Sequence, residues 1–423
     1  MHTDIPTTRE HDLRDRVDEL LASLADIGRD PATGGYRRFA WTDTDRLCRA
    51  WFADQAQRRG MTVEVDHNGN QWAWLGQPGP GSVAMGSHLD SVPDGGAFDG
   101  PLGVISAFLA IDVLRARGTL LTRPLAVANF ADEEGARFGL ACVGSRLTAG
   151  MLEPEQARNL RDASGTTLRE AMAAAGHDPS GLGPDNQRLA RIAAFLELHI
   201  EQGRGLVELG APVGLATSIW PHGRWRFDFT GEPDHAGTTR LADRQDPMIP
   251  LAHTILAARD AAASHAGVAT VGKTVTRPNG VNAIPAMTSG WLDCRAPSRD
   301  ALERIVADVT EAATAAAQLE NVAMRVTPES LTAPTEFDTK LRATAQRALG
   351  DVPELETGAG HDAGILAAVI PTAMVFVRNN TGVSHSPKEH ATTDDCKAGV
   401  LALARVVEYL QRHDFDHHDQ GAR

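Results

Sequence analysis

The chain has little that would cross-link it or anchor it in a membrane. Its four cysteines, Cys48, Cys142, Cys294 and Cys396, are far apart and form no Cys-x-x-Cys pair. That spacing argues against a disulfide framework or a thiolate zinc site and fits reduced cysteines in a cytoplasmic protein. No apolar run approaches the ~20 residues needed to span a bilayer. The stretch Met1–Arg16 is polar, without the apolar centre of a signal peptide. Positive charge is also scarce: 41 Lys and Arg stand against 55 Asp and Glu, a net charge of −14. Phosphates repel such a chain, so neither nucleic acid nor an anionic membrane is expected as a partner. A local basic pocket for an anionic substrate is still allowed. There is no internal repeat and no long low-complexity segment.

The 423 residues, 42% of them hydrophobic, are enough for two or three domains with sizeable cores. Leu13, Val17, Leu20, Leu21, Leu24 and Ile27 recur at helical spacing. Residues 81–89 read as a short buried strand running into a polar loop. A helix follows over 103–116 and the next strand over 124–130. Apolar strands alternating with helices predict an α/β fold with a mostly parallel sheet. The middle of the chain has a different texture. Trp225, Phe227 and Phe229 alternate with Arg224, Arg226 and Asp228, as in a strand with one wet face. A helix over 247–265, strands over 268–276 and 287–295, a helix over 298–319 capped by Ser298 and a strand over 321–327 complete a β-α-β-β-α-β order. This predicts a ferredoxin-like domain over 214–328, inserted into a first domain made of 1–213 and 329–423. After it come a helix over 337–349, a Gly-rich loop over 358–364, a strand over 372–378 and a last helix over 393–412. The acidic tail carries His413, His417 and His418. It could hold a metal, but a frayed terminus accounts for it as well.

Four polar clusters follow apolar strands. The first is His88-Leu89-Asp90 with Phe98-Asp99-Gly100. Open α/β sheets place their sites at the carboxyl ends of strands. A histidine there can offer one ring nitrogen to a metal, and Asp90 could accept a hydrogen bond from the other. The second is Asp132-Glu133-Glu134. Two adjacent glutamates repel each other unless a cation offsets them, and one can ligate while its neighbour serves as general base. The third and fourth are His199 in Glu197-Leu198-His199-Ile200-Glu201-Gln202-Gly203 and His385 in Ser384-His385-Ser386-Pro387. His, Asp, Glu, His and His, all oxygen and imidazole donors, suit two divalent cations: zinc, manganese, cobalt or nickel. Asp99 is the natural bridge between ions ~3.5–4 Å apart.

Taken in order, these residues resemble the dinuclear metal amidohydrolase branch of the aminoacylase/carboxypeptidase metallohydrolases. The likeness is greatest to the group of N-carbamoyl-L-amino-acid amidohydrolase, β-ureidopropionase and allantoate amidohydrolase. It extends over nearly the whole chain, through His235-Ala236-Gly237-Thr238-Thr239, Asn282-Ala283-Ile284-Pro285, Asp293-Cys294-Arg295 and Gly358-Ala359-Gly360-His361-Asp362. The related peptidases usually place Lys-Gly after the bridging aspartate, whereas this chain has Gly100-Pro101-Leu102-Gly103, as the carbamoyl branch does.

The resemblance implies roles. His88, Asp99 and His199 would hold one ion, and Asp99, Glu134 and His385 the other. Glu133 would be the general base and Asp90 would orient His88. The inserted domain would be a lid and a homodimer surface. His235 would reach the neighbouring subunit's site and stabilise the oxyanion. Asn282 and Arg295 would bind the substrate carboxylate, and Gln202 and His361 would line the pocket. The implied reaction is metal-assisted hydrolysis of a small ureido or N-acyl amino acid. An N-carbamoyl-L-amino acid would yield amino acid, ammonia and carbon dioxide. An aminoacylase, an allantoate hydrolase and, outside enzymes, a metal-dependent binding protein remain alternatives. The chain departs from the group at Arg204, where proline is usual, at Thr239-Arg240-Leu241, where Thr-Thr-Pro-Met is usual, and at Arg244-Gln245-Asp246, where Arg-Arg-Asp is usual. Arg204 or Arg240 could therefore read an extra polar group on an unusual substrate.

Overall fold

The computed structural model describes residues 12–413. The chain forms two compact units: one runs up to Thr217 and resumes at Glu336, and the other is Ser218–Thr335. In chain order the strands of the first stretch are β1 (Thr62–Val65), β2 (Gln71–Leu75), β3 (Ser82–His88), β4 (Leu125–Phe130), β5 (Ile192–Ile200) and β6 (Val213–Ile219). The smaller unit holds β7 (His222–Thr230), β8 (Asp234–His235), β9 (Val268–Arg277), β10 (Ala283–Ile284), β11 (Met287–Arg295) and β12 (Ala323–Thr332). The chain then adds β13 (Thr335–Glu336), β14 (Glu354–Thr357) and β15 (Thr372–Val377).

The large sheet has the order β1-β2-β4-β3-β5-β15-β6-β13, with β14 also paired to β6. Its centre, β4-β3-β5-β15, is parallel. Antiparallel β2 and β6 extend that block on its two sides. The four central strands are buried along their whole lengths. This is why they read as continuous apolar runs rather than alternating ones. The helix Pro101–Ala116 is also apolar nearly all round and nearly all buried. The helix Asp12–Leu24 buries only Leu13, Val17, Leu20 and Leu24, one stripe at helical spacing. The last helix, Thr393–Arg412, starts where Thr392 Oγ1 accepts the Asp395 N–H.

The small unit is an antiparallel sheet in the order β12-β7-β11-β9. Helices Met248–Ser264 and Arg299–Leu319 pack on it through Leu251, Ala258, Leu302, Ile305 and Val309, against Phe227 and Phe229. The order is ferredoxin-like. A separate two-stranded ribbon pairs β8 with β10.

Three local expectations shift. The chain stays with the large unit beyond residue 214, because Val213, Gly214 and Leu215 pair with β15. The strand expected to end at 327 runs on to Thr332, passing Pro328 through a register shift on an edge strand, where a proline without an N–H is tolerated. The loop expected over 358–364 gives way at Asp362 to a helix, Asp362–Leu366, whose Ala363 N–H is held by Glu197 Oε2. Of the tail histidines, His417 and His418 lie outside the described residues, while His413 stacks on Tyr409.

Candidate metal centre and active site

The carboxyl ends of the parallel strands carry the histidines. His88 ends β3, opposite Phe130 of β4. His199 lies in β5, opposite Phe376 of β15. The loop after β15 brings in His385, whose backbone has φ 55°. Asp99 reaches the strand ends because Gly100 follows it. Gly100 has φ +81°, and a Cβ there would stand 2.5 Å from the His88 ring.

These elements bring together two groups of donor atoms, His88 with Asp99 and His199, and Asp99 with Glu134 and His385. Within each group the atoms lie within 4.8 Å of one another. Asp99 Oδ1 faces His199 Nε2 at 3.1 Å and His88 Nε2 at 3.5 Å. Asp99 Oδ2 and Glu134 Oε2 each face His385 Nε2 at 3.6 Å. One carboxylate thus serves both groups. The far ring nitrogens are committed elsewhere: His199 Nδ1 donates to Ile200 O at 2.8 Å, and His88 Nδ1 to Asp90 O at 3.1 Å. That leaves Nε2 of both rings aimed at Asp99 with no hydrogen bond of its own. Buried polar atoms without a partner are rare, and a neutral imidazole with Nε2 left over in this way can ligate a metal. The donor set therefore fits divalent cations of the zinc and manganese kind.

Charge points the same way. Asp90, Asp99, Glu133, Glu197, Asp362 and Glu389 are all buried. Among the described residues, the ion-pair partners of Asp90, Asp99, Glu133 and Glu134 are all histidines. Burial pushes the Glu133 carboxyl well above its usual range, and Asp362, Glu134 and Asp90 add to that. Burial and Asp99 push Glu134 up to about 8. Burial opposes ionisation of Asp99 too, yet His199 and His88 hold it well below the usual carboxylate range. A cluster this acidic calls for added positive charge.

Glu133 sits at the inner edge, 5% exposed. Its Oε2 faces His88 Nε2 at 3.8 Å, and its Oε1 accepts the Cys142 thiol at 3.3 Å. Asp90 corrects an expectation. Its carboxylate accepts the backbone N–H groups of Glu133 at 3.1 Å and Glu134 at 3.0 Å. The hydrogen bond that orients His88 goes instead to the Asp90 carbonyl, with the nearest carboxylate oxygen at 3.5 Å. Asp90 thus braces the two glutamates, because its side chain is saturated by the loop after β4. Gln202 donates to Asp99 Oδ2 at 2.7 Å. The His361 ring centre lies 4.4 Å from that of His199. Burial and His199 keep His361 well below the usual histidine range, hence neutral.

The sequence reading passed over Glu197, Cys142, Asp362 and Glu389. Glu197 shares a strand face with His199, two residues on, and accepts Ser87 Oγ at 2.7 Å. Asp362 accepts Ser145 Oγ. Cys142 and Asp362 lie beside Glu133. Burial, with Glu133 adding to it, holds Cys142 well above the usual thiol range, so it is a thiol donor rather than a thiolate ligand.

The remaining candidates are on the small unit. His235 is exposed and accepts the Gly237 N–H at Nδ1. It lies beside Asn282: His235 pairs with Ala283, and Ala236 N–H donates to Asn282 O. Arg295 is at the other end of β11, opposite His222, while Met287 at the near end is opposite Thr230. The strand between them is about 26 Å long. Arg295 Nε donates to Asp293 at 3.1 Å. Arg240, 82% exposed, is paired with Asp243 three residues on. Arg204 belongs to the large unit and donates to Thr381 O at 3.2 Å, in the loop that carries His385.

Residues 84–409 match Peptidase family M20/M25/M40. An N-carbamoyl-L-amino acid amidohydrolase from Geobacillus stearothermophilus is 37% identical over 405 residues, covering 94% of this chain and 98% of that one. An allantoate amidohydrolase from Escherichia coli strain K12 is 32% identical, covering 94% and 98%. A crystal structure of an amidase of the hydantoinase/carbamoylase family from Burkholderia multivorans superposes with a TM-score of 0.82 at 31% identity, covering 94% and 97%. With most of its length matched and such relatives spanning nearly all of it, this chain belongs to peptidase family M20/M25/M40.

Proposed function

We infer that this chain hydrolyses the linear amide of an N-carbamoyl-L-amino acid or a closely related ureido acid. The products are the amino acid, ammonia and carbon dioxide. The carrying observation is Asp99 shared by two ligand groups with Glu133 beside them. The relatives are amidohydrolases of linear C–N bonds, which supports the same reading.

His88, Asp99 and His199 would hold one divalent ion, and Asp99, Glu134 and His385 a second. When bound, such ions polarise the scissile carbonyl and make water acidic near neutral pH. Glu133 then takes the proton of the attacking water and delivers it to the leaving amine. Asp90 keeps Glu133 and Glu134 in place through their N–H groups. Gln202 holds Asp99, and neutral His361 lines the pocket beside His199. The small unit would supply His235 to the oxyanion and Asn282 or Arg295 to the substrate carboxylate. In a homodimer, exposed His235 would serve the neighbouring subunit's site.

The test is product release by metal-stripped protein reloaded with manganese or zinc. The panel holds N-carbamoyl-L-amino acids, N-carbamoyl-β-alanine, allantoate and N-acetyl-L-amino acids. Metal-dependent ammonia with amine from a carbamoyl compound is expected. Amine without ammonia, from the acetyl compounds alone, would move the assignment to an aminoacylase. The allantoate amidohydrolase relative makes allantoate the second substrate to try.

A further inference from the structure

Glu389 is buried, four residues past His385, and none of the roles above uses it. Its Oε1 accepts two backbone N–H groups from a segment 290 residues away, Phe98 at 3.1 Å and Asp99 at 2.9 Å. Among the described residues no lysine or arginine pairs with it, and its Oε2 has no hydrogen-bond partner. The carboxylate is therefore spent on the Asp99 loop and not on a basic group.

Other contacts bind the same two segments. The His390 ring packs edge-on against Phe98, with centres 5.8 Å apart. A Cβ on Gly96 would overlap Glu389 Oε1, so the loop approaches closely only with glycine there. Glu389 N–H in turn donates to Ser386 O at 3.0 Å, closing the turn Ser386–Glu389 that directly follows His385. One side chain thus ties the backbone of Asp99 to the turn that follows His385.

We propose that Glu389 is a positioning residue that clamps Asp99 to the His385 turn and so sets the geometry of the Asp99–Glu134–His385 ion site. The reason it acts on that site is the way the ligands are mounted. His88 and His199 lie in central strands and have their Nδ1 atoms fixed to backbone carbonyls. Gln202 steadies the Asp99 side chain from the β5 end. His385 has no strand beneath it and is 49% exposed. Its distance to Asp99 depends on the clamp, whereas the His88–Asp99–His199 group has supports of its own.

The proposal rests on the two-ion reading, and metal binding separates the two. Chelator-stripped full-length protein is titrated with manganese and with zinc by calorimetry, and bound metal is counted after dialysis. Wild type should bind two ions. Glu389→Ala should keep the tighter ion and weaken the other ~10–100-fold, the range for losing a group that orients a ligand. Glu389→Gln, whose amide oxygen still accepts both N–H groups, should keep both ions. Gly96→Ala retains the carboxylate but displaces it, and should behave like Glu389→Ala. It decides the matter if circular dichroism shows Glu389→Ala unfolded. Two ions bound at wild-type strength in Glu389→Ala, or equal weakening of both, would overturn the clamp alone. A wild type that binds a single ion would overturn the two-ion reading and the clamp together.

Discussion

The two compact units hold their candidate residues in opposite ways. In the large unit His88, Asp99, Glu133 and His199 are buried and already turned towards one another, with exposed His385 at the rim and Asp99 between the three histidines. In the small unit His235 and Arg240 are exposed and Arg295 is half-buried, and they are engaged with near neighbours, as Arg240 with Asp243 and Arg295 with Asp293. Burial at the ends of central strands fixes ligand geometry before any substrate arrives, as catalysis by charge requires. Exposed side chains can be recruited only by binding, which is what a residue recognising substrate needs. The proposed division, chemistry in the large unit and substrate recognition in the small one, follows that contrast.

Experiments can break that division, and the largest effect should come from the metals. Chelation should abolish turnover, and manganese or zinc should restore it. Thermal unfolding of the stripped protein should begin at lower temperature, because a ligand present at 100 times its Kd adds about 2.7 kcal/mol of stability. An apo form as stable as the loaded one would mean that the buried acids need no cation. Next is Glu133→Gln, which should retain bound metal and lose roughly 10²–10⁴ in kcat. Substantial turnover would remove Glu133 from the base role.

The small unit should show lesser effects. His235→Ala should lower kcat by about 10²–10³, the range for one oxyanion donor, with metal content unchanged. Arg295→Ala should raise KM more than it lowers kcat. Mixing the two impaired variants should raise kcat/KM above that of either alone, because a mixed dimer has one site with both groups intact. If mixing restores nothing, the idea that His235 serves the neighbouring subunit's site fails. The smallest effect should be that of Arg240→Ala. An exposed pair three residues apart contributes under about 1 kcal/mol, so kinetics on every accepted substrate should stay unchanged. A substrate-specific loss would instead mark Arg240 as a selectivity residue.

Much of this was legible beforehand. The ligand histidines and acids each follow an apolar strand, and apolar run plus polar end is a local pattern. The helix 393–412 and the strand 287–295 could be bounded from residue type alone. Glu389 gave no such signal, because its partners Phe98 and Asp99 are 290 residues distant and are backbone groups. Asp90 looked like a partner for the histidine two residues before it. Its carboxylate went instead to a loop more than forty residues on.

The sequence by itself determined the element types, the ferredoxin-like order of the small unit and the identity of the donor atoms, because these follow from periodicity and side-chain chemistry. Tertiary structure alone decided which donors share Asp99, which nitrogen of each histidine is left for an ion, and which acids brace the loops rather than react. Those are matters of register between strands and of hydrogen bonds to backbone groups, and neither is written in the order of the residues.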